Sequence, residues 1–164
     1  MKYRGVLAVV GSVLVSNAAM AAQTNNRQAT AARAASEEVA VKQILSRYKA
    51  AIEKLDATAT QQLFAPDSAI FETGGSEGTY ANYLTHHLGP ELKEFKRFGF
   101  SDYKVDVRFE GPVALATETY NYRIETKSGE TAERRGVATS VLKKIGRQWK
   151  ILSMHNSARK PRGL

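Results

Sequence analysis

The stretch of sequence that decides the fold is YKVDVRFEGPVALATETYNYRIE, residues 103–125. Over residues 103–109, apolar side chains alternate with charged ones, which predicts a β-strand with one buried face. A glycine–proline pair then predicts a turn, and residues 113–125 predict a second, longer strand. Two adjacent strands joined by so short a turn indicate an antiparallel meander in the second half of the chain.

The residues on either side complete this plan. Ser36 can cap a helix, and apolar residues recur at helical spacing from there to Asp56. Further along, Gly89 and Pro90 are predicted to break a helix, and Pro90 can then start another turn that carries Leu92 and Phe95. Helices come first and strands follow, which indicates an α+β domain. The remaining predicted elements are short helices over 60–64 and 80–88, a strand over 69–73, and strands over 133–144 and 149–157.

Several short motifs occur in a characteristic order. They are the helix that ends at Asp56, Leu63–Asp67, the strand Ile70–Glu72 with Gly74, Tyr83–Leu84 with His86–Leu88, Glu91–Leu92, and Gly146 with Trp149–Ile151, His155 and Ser157. In order and spacing, these motifs resemble the NTF2-like superfamily, and more closely its SnoaL-like or DUF4440-type branch. The resemblance covers residues 36–157.

This resemblance implies a cone-shaped α+β fold. N-terminal helices would pack on a strongly curved antiparallel sheet, and the two layers would enclose a pocket. Members of the superfamily include isomerases, cyclases, dehydratases and non-enzymatic binding modules, and they often form homodimers. The fold alone therefore leaves the function open.

The N-terminus has the three parts of a secretory signal peptide. Lys2 and Arg4 give a positive start, residues 6–15 are mostly apolar, and residues 19–21 fit the small-x-small rule for cleavage before Ala22. The apolar run is about half of the roughly 20 residues that a membrane span needs. We therefore expect a periplasmic or secreted protein that keeps no stable membrane anchor after cleavage.

The composition limits the kinds of partner and of chemistry that are expected. The 164 residues suit one compact domain, and their net charge of +8 comes from scattered basic residues, so no nucleic-acid partner is expected. The chain has no cysteine, which excludes disulfides, thiolate catalysis and cysteine-based zinc sites. The expected organisation is a signal peptide over 1–21, a linker over 22–35, the domain over 36–157 and a basic tail over 158–164.

Three histidines are the main candidates for chemistry. His86 and His87 are neighbours in a predicted helix, where adjacent side chains point about 100° apart. Only one of them can face a pocket squarely, and His87, on the apolar side, is predicted to be that one. Strand alternation places His155 on the same face as Trp149.

Glu72 ends a predicted strand at the pocket mouth and could converge there with His87 and His155. Two imidazoles and one carboxylate could bind a divalent transition metal such as zinc, copper or iron. They could also perform acid–base chemistry, with His87 and His155 as the catalytic pair, or contact a ligand. The alternative is a structural role, in which the histidines form buried hydrogen bonds and Glu72 is an exposed strand end.

Aromatic residues would supply the walls of a ligand pocket. The predicted ligand-binding set joins Glu72, His87 and His155 to Tyr83, Tyr120, Tyr122 and Trp149. The same aromatic residues could instead be ordinary half-buried members of the sheet and helix. Glu118 shares a strand face with two of the tyrosines and is expected to be exposed.

Three functions follow from these observations. The first is an exported NTF2-like domain that binds a small organic molecule in its pocket, needs no cofactor and forms a homodimer. The second is an enzyme of the SnoaL or isomerase type that uses the pocket histidines for acid–base chemistry. The third is a metal-binding protein that uses Glu72, His87 and His155.

Overall fold

The computed structural model describes residues 13–161, with side-chain environments from Met20 onward. Contacts divide the chain into two compact units, Met1–Glu37 and Glu38–Leu164. In the first unit, residues 20–36 are helical and exposed, including the predicted linker over 22–35. The start of the predicted signal peptide, residues 1–12, lies outside the described residues, as do residues 162–164 of the predicted tail. Within the described part, no helix has the length and hydropathy of a membrane span.

The second unit contains short helical segments followed by long strands, as the sequence predicted. The helices are α1 (Val13–Glu53, which begins in the first unit), a 3-10 helix (Thr58–Leu63), α2 (Tyr80–Tyr83), a π-helical turn (Leu84–Leu88) and α3 (Gly89–Glu94). The strands are β1 (Phe64–Glu72), β2 (Gly75–Gly78), β3 (Phe95–Glu110), β4 (Val113–Thr126), β5 (Thr131–Ile145) and β6 (Gln148–Arg159).

The strands form one six-stranded sheet in the order β2-β1-β6-β5-β4-β3. Every neighbouring pair is antiparallel except β1 and β6, which are parallel. Val41, Leu45 and Ile52 of α1 pack against this sheet in one apolar core, together with Ile151 and Met154. The predicted α+β fold, with helices on a curved and mostly antiparallel sheet, is confirmed.

β1 begins earlier than the strand predicted over 69–73. Pro66 lies within it and has no N–H for a sheet ladder. The pairing of β1 with β6 passes directly from Phe64 to Ala69, so Pro66 falls in an irregular stretch between two paired positions. The proline therefore interrupts the ladder without ending the strand.

The predicted break at Gly89 and Pro90 does not occur, because helical structure continues through residues 80–94, but Pro90 does lie at the start of a further helical segment, α3. A π-helical turn takes up the irregularity: the Gly89 N–H donates to the Leu84 carbonyl, five residues earlier. A Cβ atom at Gly89 would lie 2.4 Å from that carbonyl oxygen, so this turn requires glycine. Pro90, which has no N–H to donate, follows as an early residue of α3.

Candidate functional site

A cavity of about 430 Å³ opens in the second unit, between residues 80–94, the end of α1 and the inner face of the sheet. Its size lies in the range of small-molecule sites. One side is apolar, and its main side chains are Ile52, Leu92, Phe95, Phe98, Phe100 and Ile124. The opposite side is polar and belongs to the hairpin of β1 and β2 and to the helical residues 80–94.

The aromatic side of the cavity is closely packed. Phe98 stacks on Tyr122 with ring centroids 5.3 Å apart and planes at 14°. Phe100 meets Tyr120 edge to face at 5.0 Å. The Tyr120 ring lies over Gly136 of the neighbouring strand, where a Cβ atom would be 2.2 Å from it. The absence of a side chain at Gly136 therefore leaves room for the Tyr120 ring in the cavity wall.

The polar side is built around His87, as predicted for the inward-facing histidine; His86 is exposed. The His87 Nδ1 lies 3.2 Å from Glu77 Oε2, and its Nε2 lies 3.3 Å from Glu91 Oε1 and 3.5 Å from Glu72 Oε2. Three carboxylates therefore surround one imidazole. Each of these side chains is partly exposed, so the cluster is reachable from the cavity.

The cluster favours a protonated imidazole. Burial disfavours the charge, but the hydrogen bond with Glu77 and the charges of Glu91 and Glu72 outweigh it, so the pKa of His87 is raised. Burial also raises the pKa of Glu91, partly offset by the charge of His87. Both shifts favour the protonated form of the group.

Tyr83 connects this cluster to the core. Its hydroxyl donates to Glu72 Oε1 at 2.6 Å, and its ring packs 5.2 Å from the His87 ring. Burial and the charge of Glu72 raise the pKa of Tyr83 far above the ordinary tyrosine value, so the hydroxyl stays a donor. Tyr83 thereby fixes the position of Glu72 beside the imidazole.

His155 is not in this site. The predicted alternation along β6 fails at Leu152, because Val141 pairs with Ser153 while Leu142 pairs with Ile151. This β-bulge moves all later side chains to the opposite face. Met154 is therefore buried, and His155 is exposed on the outer face, where it packs against Phe71.

Consequently, the predicted convergence of Glu72, His87 and His155 does not occur. Glu72 and His87 meet, but His155 lies across the sheet, so the three cannot share one metal ion. In the part of the chain that the structure describes, no group of three or more His, Cys, Asp or Glu side chains is arranged to hold a metal.

The predicted aromatic residues divide between two places. Tyr83, Tyr120 and Tyr122 line the cavity. Trp149 lies elsewhere in the core, with its ring 5.9 Å from the Phe109 ring. Trp149 precedes the bulge in β6 and faces inward, but at a position away from the cavity.

The cavity residues that sequence reasoning missed include Glu77, Glu91, Phe98 and Asn156. For Glu91 a signal existed, since it follows His87 by four residues and such pairs meet on a helix. For Asn156 there was none, because the bulge in β6 leaves no mark in the sequence pattern. Glu118, expected to be exposed, is buried at 4% exposure.

Comparisons with known proteins agree with this architecture. The family model of the SnoaL-like domain matches residues 41–161. An NTF2-like superfamily protein from Salmonella enterica superposes with a TM-score of 0.66 at 22% identity, covering 78% of this chain and 93% of that protein. A comparison with functionally curated proteins gives no match.

Two further solved structures share the fold. A candidate dehydratase of the NTF2-like family from Streptomyces avermitilis has a TM-score of 0.65 at 19% identity, with 77% of this chain and 99% of that one covered. A candidate ketosteroid isomerase from Shewanella frigidimarina has a TM-score of 0.61 at 23% identity, with 72% and 94% covered. At these identities the likeness concerns the fold.

Proposed function

The chain belongs to the SnoaL-like domain family, and from that premise we propose that its cavity binds a small organic molecule with a flat apolar body. The observation that carries this proposal is the two-sided cavity of about 430 Å³. Its aromatic side suits a planar ring system, and its polar side offers a single hydrogen-bonding cluster that would orient the ligand.

A matched pair of variants tests this proposal with 2-acetylnaphthalene as the probe. Ile124 lines the cavity, so Ile124→Trp should fill the space and weaken binding at least about tenfold. Ile145 is 47% exposed at the end of β5, and Ile145→Trp should bind the probe like the wild type. Titration calorimetry measures both. Equal affinity in all three proteins would contradict the proposal.

A second candidate function is acid–base catalysis at His87. The imidazole that contacts three carboxylates favours it, since such a group can take up and return a proton near neutral pH. In this version the partner of His87 is Glu72 or Glu91, and His155 takes no part. The names of the candidate dehydratase and the candidate isomerase are in keeping with proton-transfer chemistry.

Hydrogen exchange into the methyl groups of 2,6-diacetylnaphthalene, which has a methyl ketone at each end of its ring system, would reveal such catalysis in D2O. The base removes a methyl proton to give the enolate, and a deuteron returns to the same carbon. His87→Gln should slow the exchange about 100-fold or more, while His155→Gln should leave it unchanged. A wild-type rate equal to that of buffer, or equal loss in both variants, would exclude this function.

We also propose that the protein is exported and acts as a periplasmic or secreted homodimer. The signal-like residues 1–21 support export. N-terminal sequencing of the protein recovered outside the cytoplasm should begin at Ala22, and an uncleaved chain would contradict this. Support for the homodimer comes from two apolar side chains, Phe71 and Val137, that are exposed on the outer face of the sheet.

A further inference from the structure

Glu118 is a buried carboxyl group that the site described above does not use. It lies on the inner face of β4 at 4% exposure. One of its oxygens, Oε1, accepts a hydrogen bond from the Tyr103 hydroxyl. The other, Oε2, has no hydrogen-bond partner among the described residues. Buried polar atoms seldom lack a hydrogen-bond partner, so an unpaired oxygen at this position suggests a binding role.

The backbone is specially shaped to bring Tyr103 to Glu118. In β3, Ser101 pairs with Asn121 and Lys104 pairs with Thr119, so a β-bulge places Asp102 and Tyr103 opposite one residue of β4. Asp102 has a φ of 52°. The Asn121 side chain donates to the Asp102 carboxylate at 2.7 Å, which holds this conformation.

The bulge changes which side chains of β3 face inward. Before it, Phe98 and Phe100 line the cavity. After it, Tyr103 also points inward and stacks on Tyr120 at 6.0 Å. A regular strand could not direct Phe100 and Tyr103 to the same face, since they are an odd number of residues apart.

A small void of about 20 Å³ adjoins Glu118. Its volume suits one water molecule or one ligand atom of similar size. Tyr48, Phe100, Tyr120 and Asn156 line both this void and the large cavity. The void therefore adjoins the inner end of the cavity, and these four side chains border both.

The surroundings of Glu118 favour its neutral form. Burial raises its pKa, and the hydrogen bond from Tyr103 lowers it to a smaller extent. Lys49 is the basic residue that lines the void, and its ammonium group forms an ion pair with Glu53 at 2.7 Å. A neutral carboxyl group has a proton on one oxygen, and Oε1 already accepts from Tyr103, so Oε2 is the natural donor.

We propose that Glu118 Oε2 is the inner hydrogen-bonding position of the ligand cavity and binds a neutral oxygen acceptor, such as a carbonyl group, on the apolar body of the ligand. This inference rests on the proposed function and specifies its ligand class. The ligand oxygen occupies the void, and Tyr103 is a positioning residue that holds the carboxyl group. The His87 cluster then faces the opposite end of the ligand.

Two probes of nearly equal shape test this assignment. 2-Acetylnaphthalene has a carbonyl oxygen where 2-isopropenylnaphthalene has a CH2 group. The wild type should bind the ketone about tenfold more tightly than the alkene, the usual effect of one buried hydrogen bond. Glu118→Gln, whose amide can still donate, should keep most of this preference, and Glu118→Leu should lose it.

The outcomes separate this inference from the proposed function. If both probes bind the wild type equally, Glu118 is not the contact and the inference fails, while the proposed function stands. If neither probe binds, both fail. Retention of the preference in Glu118→Leu would also overturn the inference.

An infrared measurement avoids dependence on the folding of the leucine variant. The difference spectrum of wild type and Glu118→Gln should contain the C=O stretch of a protonated carboxyl group. 2-Acetylnaphthalene should shift this band, and 2-isopropenylnaphthalene should leave it in place. Absence of the band, or equal shifts with both probes, would contradict the assignment.

Discussion

His87 illustrates how one side chain can organise the polar half of a site. Its two ring nitrogens contact carboxylates from the β1–β2 hairpin and from α3. Neither element positions the imidazole alone, because Glu77 lies on β2 and Glu91 lies on α3. The hydrogen bond from Tyr83 to Glu72 fixes the third carboxylate. The cluster therefore depends on a fixed spacing between the hairpin and the helical residues 80–94.

This cluster gives the protein a pH-dependent stability. The pKa of His87 is raised in the folded state, so its contribution is fully present below the unfolded-state value of about 6.5 and is lost as the pH rises through the folded-state value. The pKa of Glu91 is also raised, which acts in the same direction. We expect the unfolding midpoint in urea to fall as the pH increases from about 5.5 to about 8.

The His87→Gln variant should show a flatter pH profile. Because the group is about one-third exposed, its contribution should be modest, about 0.5–1 kcal/mol at the acidic end. His155→Gln is the matched control and should follow the wild type. A His87→Gln profile as steep as that of the wild type would show that other groups cause the dependence.

Glu118 shows why the sequence alone could not assign every residue. The alternating pattern placed it on the same face as Tyr120 and Tyr122, and this geometry is right. Its charge made burial improbable on general grounds. The position of the Tyr103 hydroxyl, which the bulge in β3 brings to this carboxyl group, explains how the group is accommodated there.

At the scale of elements, the regular pieces were predictable and the irregular ones were not. Residues 103–109 and 113–125 alternate cleanly, so β3 and β4 were found from the sequence, although β3 begins earlier, at Phe95. The bulges in β3 and β6 leave no mark in the sequence pattern, because each depends on pairing with a neighbouring strand. The π-helical turn depends instead on a hydrogen bond within its own segment, from the Gly89 N–H to the Leu84 carbonyl. The two bulges direct Tyr103 and Asn156 inward, and the bulge in β6 also turns His155 away from the site, which is the largest error of prediction.

The π-helical turn offers a direct test at this scale. Gly89→Ala would bring a Cβ atom within 2.4 Å of the Leu84 carbonyl oxygen, and we expect a loss of about 1–3 kcal/mol in the free energy of unfolding. The His87 ring should also show altered NMR shifts. Gly99→Ala is the control, since a Cβ atom there meets nothing within 4 Å. Similar stability for the two variants would contradict the role of this turn.

At the scale of the whole molecule, the sequence was sufficient for the fold and for part of the site. The order of helices and strands predicted the α+β architecture, and the motifs over 36–157 predicted the family. Glu72, His87 and three tyrosines were correctly placed together at the cavity. His155 and Trp149 were not, because a strand face can be read from alternation only where the strand has no bulge.

The prediction about the oligomeric state concerns the outer face of the sheet. Val137 is 41% exposed there, and Val137→Asp should convert the proposed homodimer to a monomer in light-scattering measurements. Ile145→Asp, a comparably exposed change at the end of β5, should remain dimeric. A wild-type mass equal to one chain would refute the homodimer, and a dimeric Val137→Asp would place its interface elsewhere.

The central claim is that the inner cavity, rather than the outer face, binds a small organic molecule. The most direct measurement is isotope-filtered NOE spectroscopy of the labelled protein with 2-acetylnaphthalene. We expect contacts from the probe to Phe98, Tyr122 and Ile124, which line the cavity. Contacts instead to Thr139 and Val141, which line a groove on the outer face, or no contacts at all, would contradict the account.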